Sequence, residues 1–132
     1  MMNVITEMIK IKRVNFENKV IDGDVLSLSI NRTCSIKIEH NKRDILATLN
    51  IKIAPNKEES DASLWIEFES LGRFSADENI EKEQAKTVGN AIYLKMYTHA
   101  QTMMQAMTSL AGMRALIIPD IPPGEEPTII EA

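Results

Sequence analysis

The sequence has 132 residues, of which 44% are hydrophobic and 26% charged, so it can form one domain with its own core. Its net charge of −4 argues against non-specific nucleic-acid binding, which needs a basic surface. The single cysteine, Cys34, excludes an internal disulfide and a cysteine-rich zinc site and is typical of a reducing compartment. We therefore expect a cytoplasmic protein with no cofactor.

The sequence shows no expected signal peptide and no expected transmembrane span. The first residues lack the basic segment and long apolar run of a signal peptide. No run of about 18 apolar residues is present, so we expect no membrane insertion.

Alternating apolar residues predict a first strand from about Met8 to Glu17. The apolar positions change parity near Lys12 and Arg13, which predicts a β-bulge there. A second strand is predicted from Val25 to Glu39, with one apolar and one polar face and with Arg32 interrupting the apolar face. Its apolar row consists of Leu26, Leu28, Ile30, Cys34, Ile36 and Ile38.

Two further strands complete the predicted sheet. A polar turn at residues 40–43 joins the second strand to a third one over residues 45–53, which predicts a hairpin. A polar loop is expected from Pro55 to Asp61, followed by a fourth strand that starts at Leu64. The pattern favours an α+β fold: a four-stranded antiparallel sheet with a long helix packed on one face.

The helical pattern begins after the fourth strand. Asp77 or Asn79 is a candidate cap for a short first helix, and Gly89–Asn90 is a predicted break. A longer helix is predicted from Ala91 to Ala111, and Lys95 is its only charged residue. A surface helix of a monomer normally carries several charges on its outer face.

This shortage of charge predicts that the helix packs on the sheet with one face and on a second subunit with another. The alternative is a helix in a deep groove of its own chain. The expected oligomer interface contains Ile92, Met96, His99, Met103, Met107 and Leu110. The resulting domain is expected to cover residues 1–121, followed by a proline-rich arm over 122–132. The tail from Pro119 onward is expected to be extended and to dock through Ile121, Ile129 and Ile130.

No combination of residues favours catalysis or a metal site. Cys34 has the parity of a buried strand residue, His40 falls in a turn and His99 on an apolar helix stripe. Glu67 and Glu69 lie on the polar face of one strand with no implied cleft. We therefore expect a protein that is not an enzyme and binds no metal.

Three segments, in this order and spacing, give the sequence a resemblance to SecB, the bacterial protein-export chaperone. The segment from Ile9 to Glu17 resembles the first strand of that family, with alternating aliphatic residues before Val14-Asn15-Phe16-Glu17. The segment from Leu64 to Phe74 is similar to the fourth strand, in which an acid precedes a Gly-x-Phe ending. The uncharged helix and the segment from Leu116 to Ile121 resemble the main helix and the apolar segment that follows it.

The resemblance implies a homotetramer, built as a dimer of dimers, that holds unfolded clients or preproteins without ATP for protein export. It implies a client-binding groove formed by Phe68, Phe74, Tyr93, Tyr97, Met104, Leu116, Ile118 and Ile121. It also implies that the motor SecA docks on the polar face of the sheet, at Glu17, Trp65, Glu67 and Glu69.

Two departures from the family pattern bear on the SecA contact. Arg13 occupies a position where the family carries an acid, and the second helix and SecA-contacting tail have no counterpart in the sequence. These departures favour the shorter SecB-like chaperones, including those that escort the antitoxin of a toxin–antitoxin system. A structural or adaptor subunit that uses the same fold without binding clients is the other alternative.

Overall fold

The computed structural model describes residues 2–18, 28–55, 64–112 and 115–131. They form five strands and one helix: β1 (Val4–Asn18), β2 (Leu28–Ile38), β3 (Asp44–Pro55), β4 (Leu64–Ala76), α1 (Ala85–Leu110) and β5 (Thr128–Glu131). The strands make one sheet in the order β1-β4-β3-β2-β5, with the helix packed on one face. All neighbouring strands are antiparallel except β2 and β5, which run parallel.

The α+β class with a helix on the sheet is therefore confirmed, but the expectation of four purely antiparallel strands is wrong. The fifth strand has only four residues and follows a proline-rich segment. Its sequence, Thr-Ile-Ile-Glu, does not alternate apolar and polar residues, so the periodicity that predicts a strand is absent. Parts of the predicted second strand and of the loop at Pro55–Asp61 fall on residues 25–27 and 56–61, which lie outside the described residues.

The bulge predicted in β1 is confirmed, since the pairing with β4 shifts between Ile11 and Arg13. A second shift, between Thr6 and Met8, was not predicted. The bulge between Ile11 and Arg13 leaves Lys12 and Arg13 both exposed beside the polar row of β4.

The predicted helix break at Gly89–Asn90 is wrong, because α1 is continuous from Ala85 to Leu110. Gly89 is needed for close packing: a Cβ atom built there would lie 2.7 Å from the Cδ1 of Ile129 on β5. The short capped helix is not formed either. Asp77 accepts a hydrogen bond from the backbone N–H of Asn3, and Asn79 accepts one from Nε of Arg43. Asp77 is thus bonded to the residue before β1, and Asn79 is bonded to the turn between β2 and β3.

The core lies between α1 and the sheet, and the helix crosses the strands from one edge to the other. Near its start, Gly89 contacts Ile129 and lies close to Ile36 of β2. Farther along, Met96 packs on β4 so closely that a Cβ atom at Gly72 would lie 2.6 Å from its Sδ. The end of the helix reaches β1, where the core-facing side chains are only partly buried.

Residues 115–131, here called the strap, return from the end of α1 along the helix to the β2 edge. Leu116 donates its backbone N–H to Oγ1 of the buried Thr108 at 2.8 Å. Tyr97 donates its hydroxyl to the carbonyl oxygen of Pro119 at 2.6 Å. Gln101 donates to the carbonyl oxygen of Ile118 and to the carboxylate of Asp120. The strap is thus bonded to α1 along its first half and to the sheet at its end.

Candidate functional site

An apolar groove of about 220 Å³ opens where the end of α1 passes over β1 and β4. It is lined by Ile11, Val14, Phe68, Met103, Ala106, Met107 and Leu110. Leu110 is 89% exposed at its rim, whereas Phe68 is buried at its base. No lining side chain carries a charge, so the groove suits apolar side chains rather than an ionic ligand.

The groove exists because β1 is longer than the part of it that the helix covers. β1 has 15 residues and lies at the edge of the sheet, so Ile11 and Val14 face the core side but stay half-buried. On the helix, Met103, Ala106, Met107 and Leu110 recur at helical spacing and face this uncovered strip. Methionine adapts its shape to different apolar partners, which favours tolerant binding over the recognition of one ligand.

The predicted client-binding residues are not together in this groove. Only Phe68 belongs to it. Leu116 and Ile121 pack half-buried against the core from the strap. The other five lie in the core between the sheet, α1 and the strap: Phe74, Tyr93, Tyr97, Met104 and Ile118. These five buried side chains pack the helix and the strap against the sheet.

The residues predicted for the oligomer interface divide in the same way. Ile92 and Met96 are buried in the core, with 1% and 0% of their surface exposed. Met103, Met107 and Leu110 line the groove. His99 is partly buried, and its Nδ1 atom has no hydrogen-bond partner among the described residues.

The residues predicted to dock SecA lie together on the face of the sheet that is opposite to the helix. Trp65 is 37% exposed and pairs in register with Glu17. The two other acids have cationic neighbours on β1: Nζ of Lys12 lies 3.6 Å from Glu69, and Arg13 lies 3.9 Å from Glu67. The β1 bulge brings these cations beside the acids, so the negative charge of this face is partly neutralised.

Arg32 is the main site residue that the sequence interpretation missed. Its side chain is 11% exposed, and its Nε donates to both carboxylate oxygens of Glu125 in the strap, at 3.0 and 3.1 Å. The guanidinium also lies 5.7 Å from the ring centre of Tyr97, and Tyr93 donates to Glu125. The available signal was an arginine in an otherwise apolar strand row, which requires a buried anionic partner.

The electrostatics of this cluster favour the charged form of Arg32. Burial lowers the pKa of Arg32, but the hydrogen bond and charge of Glu125, together with Tyr97, outweigh it and leave the pKa raised. Burial also raises the pKa of Tyr93 and of Tyr97, so both hydroxyls stay protonated and can donate. The cluster is an ion pair flanked by two hydroxyl donors.

The residues considered for catalysis are separated in the structure. Cys34 is buried in β2, and burial raises the pKa of its thiol to about 12. His40 lies in the β2–β3 turn at an open polar depression of about 580 Å³, on the other side of the sheet from the groove. Within the described ranges, no three His, Cys, Asp or Glu side chains are grouped so as to hold a metal ion. None of the helices in the same ranges has the length and apolarity to cross a bilayer.

Comparisons with known proteins show the fold of this chain. No family model matches the sequence, and neither does any curated protein. The structure is similar to that of Mycobacterium tuberculosis Rv1957, a SecB-like chaperone solved in complex with a ChAD peptide from the Rv1956 HigA1 antitoxin. The TM-score is 0.71 at 8% sequence identity, and the match covers 89% of this chain and 90% of the other.

A protein of unknown function from Streptococcus agalactiae is similar at a TM-score of 0.46 and 6% identity, over 91% of this chain and 99% of that one. The match to Rv1957 shows that this chain has a SecB-like fold, which confirms the resemblance seen in the sequence at the level of the fold.

Proposed function

We propose that this chain is a SecB-like chaperone that holds extended apolar segments of unfolded proteins without consuming nucleotide. The observation that carries the proposal is the apolar groove between the end of α1 and the sheet edge formed by β1 and β4. Apolar burial of this kind recognises side-chain character and tolerates many sequences, as a holdase requires.

The size of the groove sets the expected strength of one contact. About 220 Å³ accommodates a few apolar side chains of a client. Burying one large aliphatic side chain contributes about 1.5–3 kcal/mol, which gives weak, reversible binding at a single groove. Tight holding therefore requires several grooves to act on one client, which self-association to a dimer or tetramer would supply.

Several further properties belong to this proposal. The chain acts in the cytoplasm, carries out no catalysis and needs no cofactor. In a protein-export role, the outer face with Glu17, Trp65, Glu67 and Glu69 would dock SecA. The substitution Glu67→Lys is then expected to weaken SecA binding in a pull-down while client binding is retained; an unchanged SecA interaction would contradict this docking surface.

The second candidate is a dedicated chaperone for one antitoxin. It is favoured by the structural neighbour with the same fold, which was solved with a peptide from an antitoxin. Such a chaperone would hold one client tightly and suppress general aggregation poorly. A structural or adaptor subunit would neither bind a client nor suppress aggregation.

Light scattering of chemically denatured citrate synthase, diluted into increasing amounts of this protein without nucleotide, tests the proposal. A holdase is expected to suppress the rise in scattering near a stoichiometric ratio. The paired substitution Ala106→Glu/Leu110→Glu places two charges on exposed positions of the groove wall and is expected to abolish suppression. The matched control, Gln105→Glu/Ser109→Glu, adds the same charges to exposed helix positions that do not line the groove.

The outcomes separate the candidates. Suppression by the unaltered chain and the control, but not by the groove variant, supports a general holdase that uses this groove. Equal suppression by all three proteins contradicts the groove assignment. An absence of suppression by the unaltered chain contradicts the general holdase and favours the antitoxin chaperone or the structural subunit.

A further inference from the structure

The last part of the strap occupies the edge of β2 with few contacts. β5 has four residues, and Ile129 is the one among them whose side chain is half-buried. Thr128, Ile130 and Glu131 are exposed. A strand that buries so little apolar surface is among the first elements of a domain to open.

Two side chains of the strap are held at matching positions along β2. Ile129 pairs with Ile36, and Glu125 binds Arg32; both pairs are separated by 93 residues in the chain. The side-chain contact of Glu125 with Arg32 therefore has the same sequence offset as the strand pairing of β5 with β2. Its two anchors are an acid and, four residues later, a β-branched apolar residue.

The second anchor has a receptor formed by α1 and β2. Ile129 rests on Gly89 of α1, where an added Cβ atom would come within 2.7 Å of its Cδ1. The same space is bordered by Ile36, whose Cδ1 lies 3.7 Å from that Cβ position. The missing side chain of Gly89 thus makes room for one aliphatic side chain between the helix and the sheet edge.

The first anchor has a receptor as well. Arg32 is fixed by β2 and lies against the Tyr97 ring, while Tyr93 adds a hydroxyl donor. Both receptors belong to α1 and the sheet, which do not depend on the strap for their own strand pairing. In the described residues, β5 covers positions 35–38 of β2, and no strand pairs with residues 28–34 on that side.

We propose that this edge of β2, with Arg32 and the space over Gly89, is a peptide-binding site whose resident occupant is the chain's own strap. Its partner is an extended peptide that carries an acid four residues before a β-branched apolar residue. The peptide replaces β5 in parallel pairing with β2, and its acid replaces Glu125 at Arg32. The inference rests on the proposed function, since the peptide would be part of a client, and it adds a site distant from the groove.

The strap then acts as a built-in competitor. A segment tethered to its own site has an effective concentration on the order of millimolar for a short linker. A free peptide therefore binds only to the fraction of molecules in which the strap has opened, and its apparent affinity falls by that fraction. Weakening the resident strap raises the apparent affinity, whereas fixing the strap in place abolishes binding.

The first test weakens the resident anchor in the full chain. The probe is a fluorescein-labelled peptide with the sequence of residues 123–132, followed by fluorescence anisotropy. The substitution Glu125→Gln removes the charge that binds Arg32, and we expect it to tighten peptide binding about tenfold. The neighbouring substitution Glu126→Gln is the matched control, because its exposed pair with Lys86 lies outside the two anchors.

A second probe separates recognition from a general loosening of the chain. Replacing the first glutamate of the peptide with glutamine is expected to weaken binding to the Glu125→Gln protein about tenfold. A site without an acid receptor at Arg32 would bind both peptides equally, which would overturn the proposal.

The second test fixes the strap. Lys37 and Ile130 are register partners on β2 and β5, and both side chains are exposed, so Lys37→Cys/Ile130→Cys can form a disulfide across the strands. We expect the oxidised protein to lose peptide binding and the reduced protein to regain it. Thr48→Cys/Leu71→Cys joins β3 to β4 and serves as the control disulfide, which should leave peptide binding unchanged.

Each outcome decides the proposal independently of the holdase test. Equal peptide binding by the oxidised and reduced strap variants overturns the proposed site, even where the protein suppresses aggregation. Disulfide-linked dimers as the main oxidation product would assign the edge to the arm of a second copy and overturn it too. Peptide exchange without suppression of aggregation would keep this site and contradict the general holdase.

Discussion

Cys34 lies in the core-facing row of β2, and 5% of its surface is exposed. Burial raises the pKa of its thiol from an ordinary value of 9.0 to about 12. The thiol is therefore protonated at neutral pH and shielded from reagents, so we expect iodoacetamide to react far more slowly with the folded protein than with the urea-unfolded protein.

The same shift predicts a loss of stability in alkali. Below pH 9 the folded and unfolded states both keep the thiol proton, and the stabilisation is complete. Between pH 9 and the folded pKa of about 12, only the unfolded state releases the proton, so the free energy of unfolding falls by up to about 1.4 kcal/mol per pH unit. In urea titrations at pH 8, 9 and 10, the free energy of unfolding should fall less with pH for Cys34→Ala than for the unaltered chain. An equal fall in both proteins would contradict the raised pKa of Cys34.

A second prediction at the scale of one residue concerns the close packing of Gly89 against β5. The substitution Gly89→Ala favours the helix by its propensity but brings a Cβ atom to 2.7 Å from Cδ1 of Ile129. We expect α1 to persist, as measured by circular dichroism, while amide exchange at Thr128–Glu131 becomes faster. Adding Ile129→Val removes the clashing Cδ1 atom and should restore protection; a failure to do so would contradict this packing.

At the scale of elements, the joint between α1 and the strap depends on a buried hydroxyl. Thr108 is 0% exposed, donates to the carbonyl oxygen of Met104 and accepts the N–H of Leu116. The substitution Thr108→Val keeps the shape but leaves that N–H unpaired, so we expect a loss of about 1–3 kcal/mol of stability. Thr102→Val, which removes an exposed hydroxyl bonded to Thr98, is the matched control in thermal unfolding; equal losses would contradict the role of Thr108.

The elements also show which parts of the fold a sequence can predict. β2, β3 and β4 alternate along their whole length because one face is buried under α1, so their apolar rows were recognisable. The strap depends on single long-range contacts, such as Arg32 with Glu125, that leave no periodic pattern. The helix break was wrong for the same reason, since the partner of Gly89 is 40 residues away in the chain.

The candidate site was recovered only in part. Met103, Met107 and Leu110 were predicted as residues of an oligomer interface on the uncharged helix, and Phe68 as a client-binding residue implied by the resemblance. Ile11 and Val14 were not predicted as site residues, because half-burial at a sheet edge is set by how far the helix extends over β1. That distance is a property of the assembled fold and cannot be inferred from any one segment.

At the scale of the whole molecule, the outward side of α1 predicts association. Leu94 is 60% exposed there, and its neighbours on that side include the uncharged Thr98. We expect light scattering to give a dimer or tetramer of the 14.9 kDa chain, and Leu94→Asp to lower that mass. Leu46→Asp on the other face of the sheet is the control. A monomeric unaltered chain at 100 µM would contradict the expected association.

The strand order β1-β4-β3-β2-β5 also has a consequence for how the chain reaches this fold. The inner strands β2, β3 and β4 are consecutive in the chain and pair through short-range connections, so they can form first as a meander. Both edge strands close long loops: β1 pairs only once β4 is present, and β5 only after α1 and the first part of the strap have followed β2. We therefore expect the apolar groove and the β2 edge to be completed in the last folding steps, so that the surfaces proposed to hold unfolded chains stay exposed longest while this chain folds.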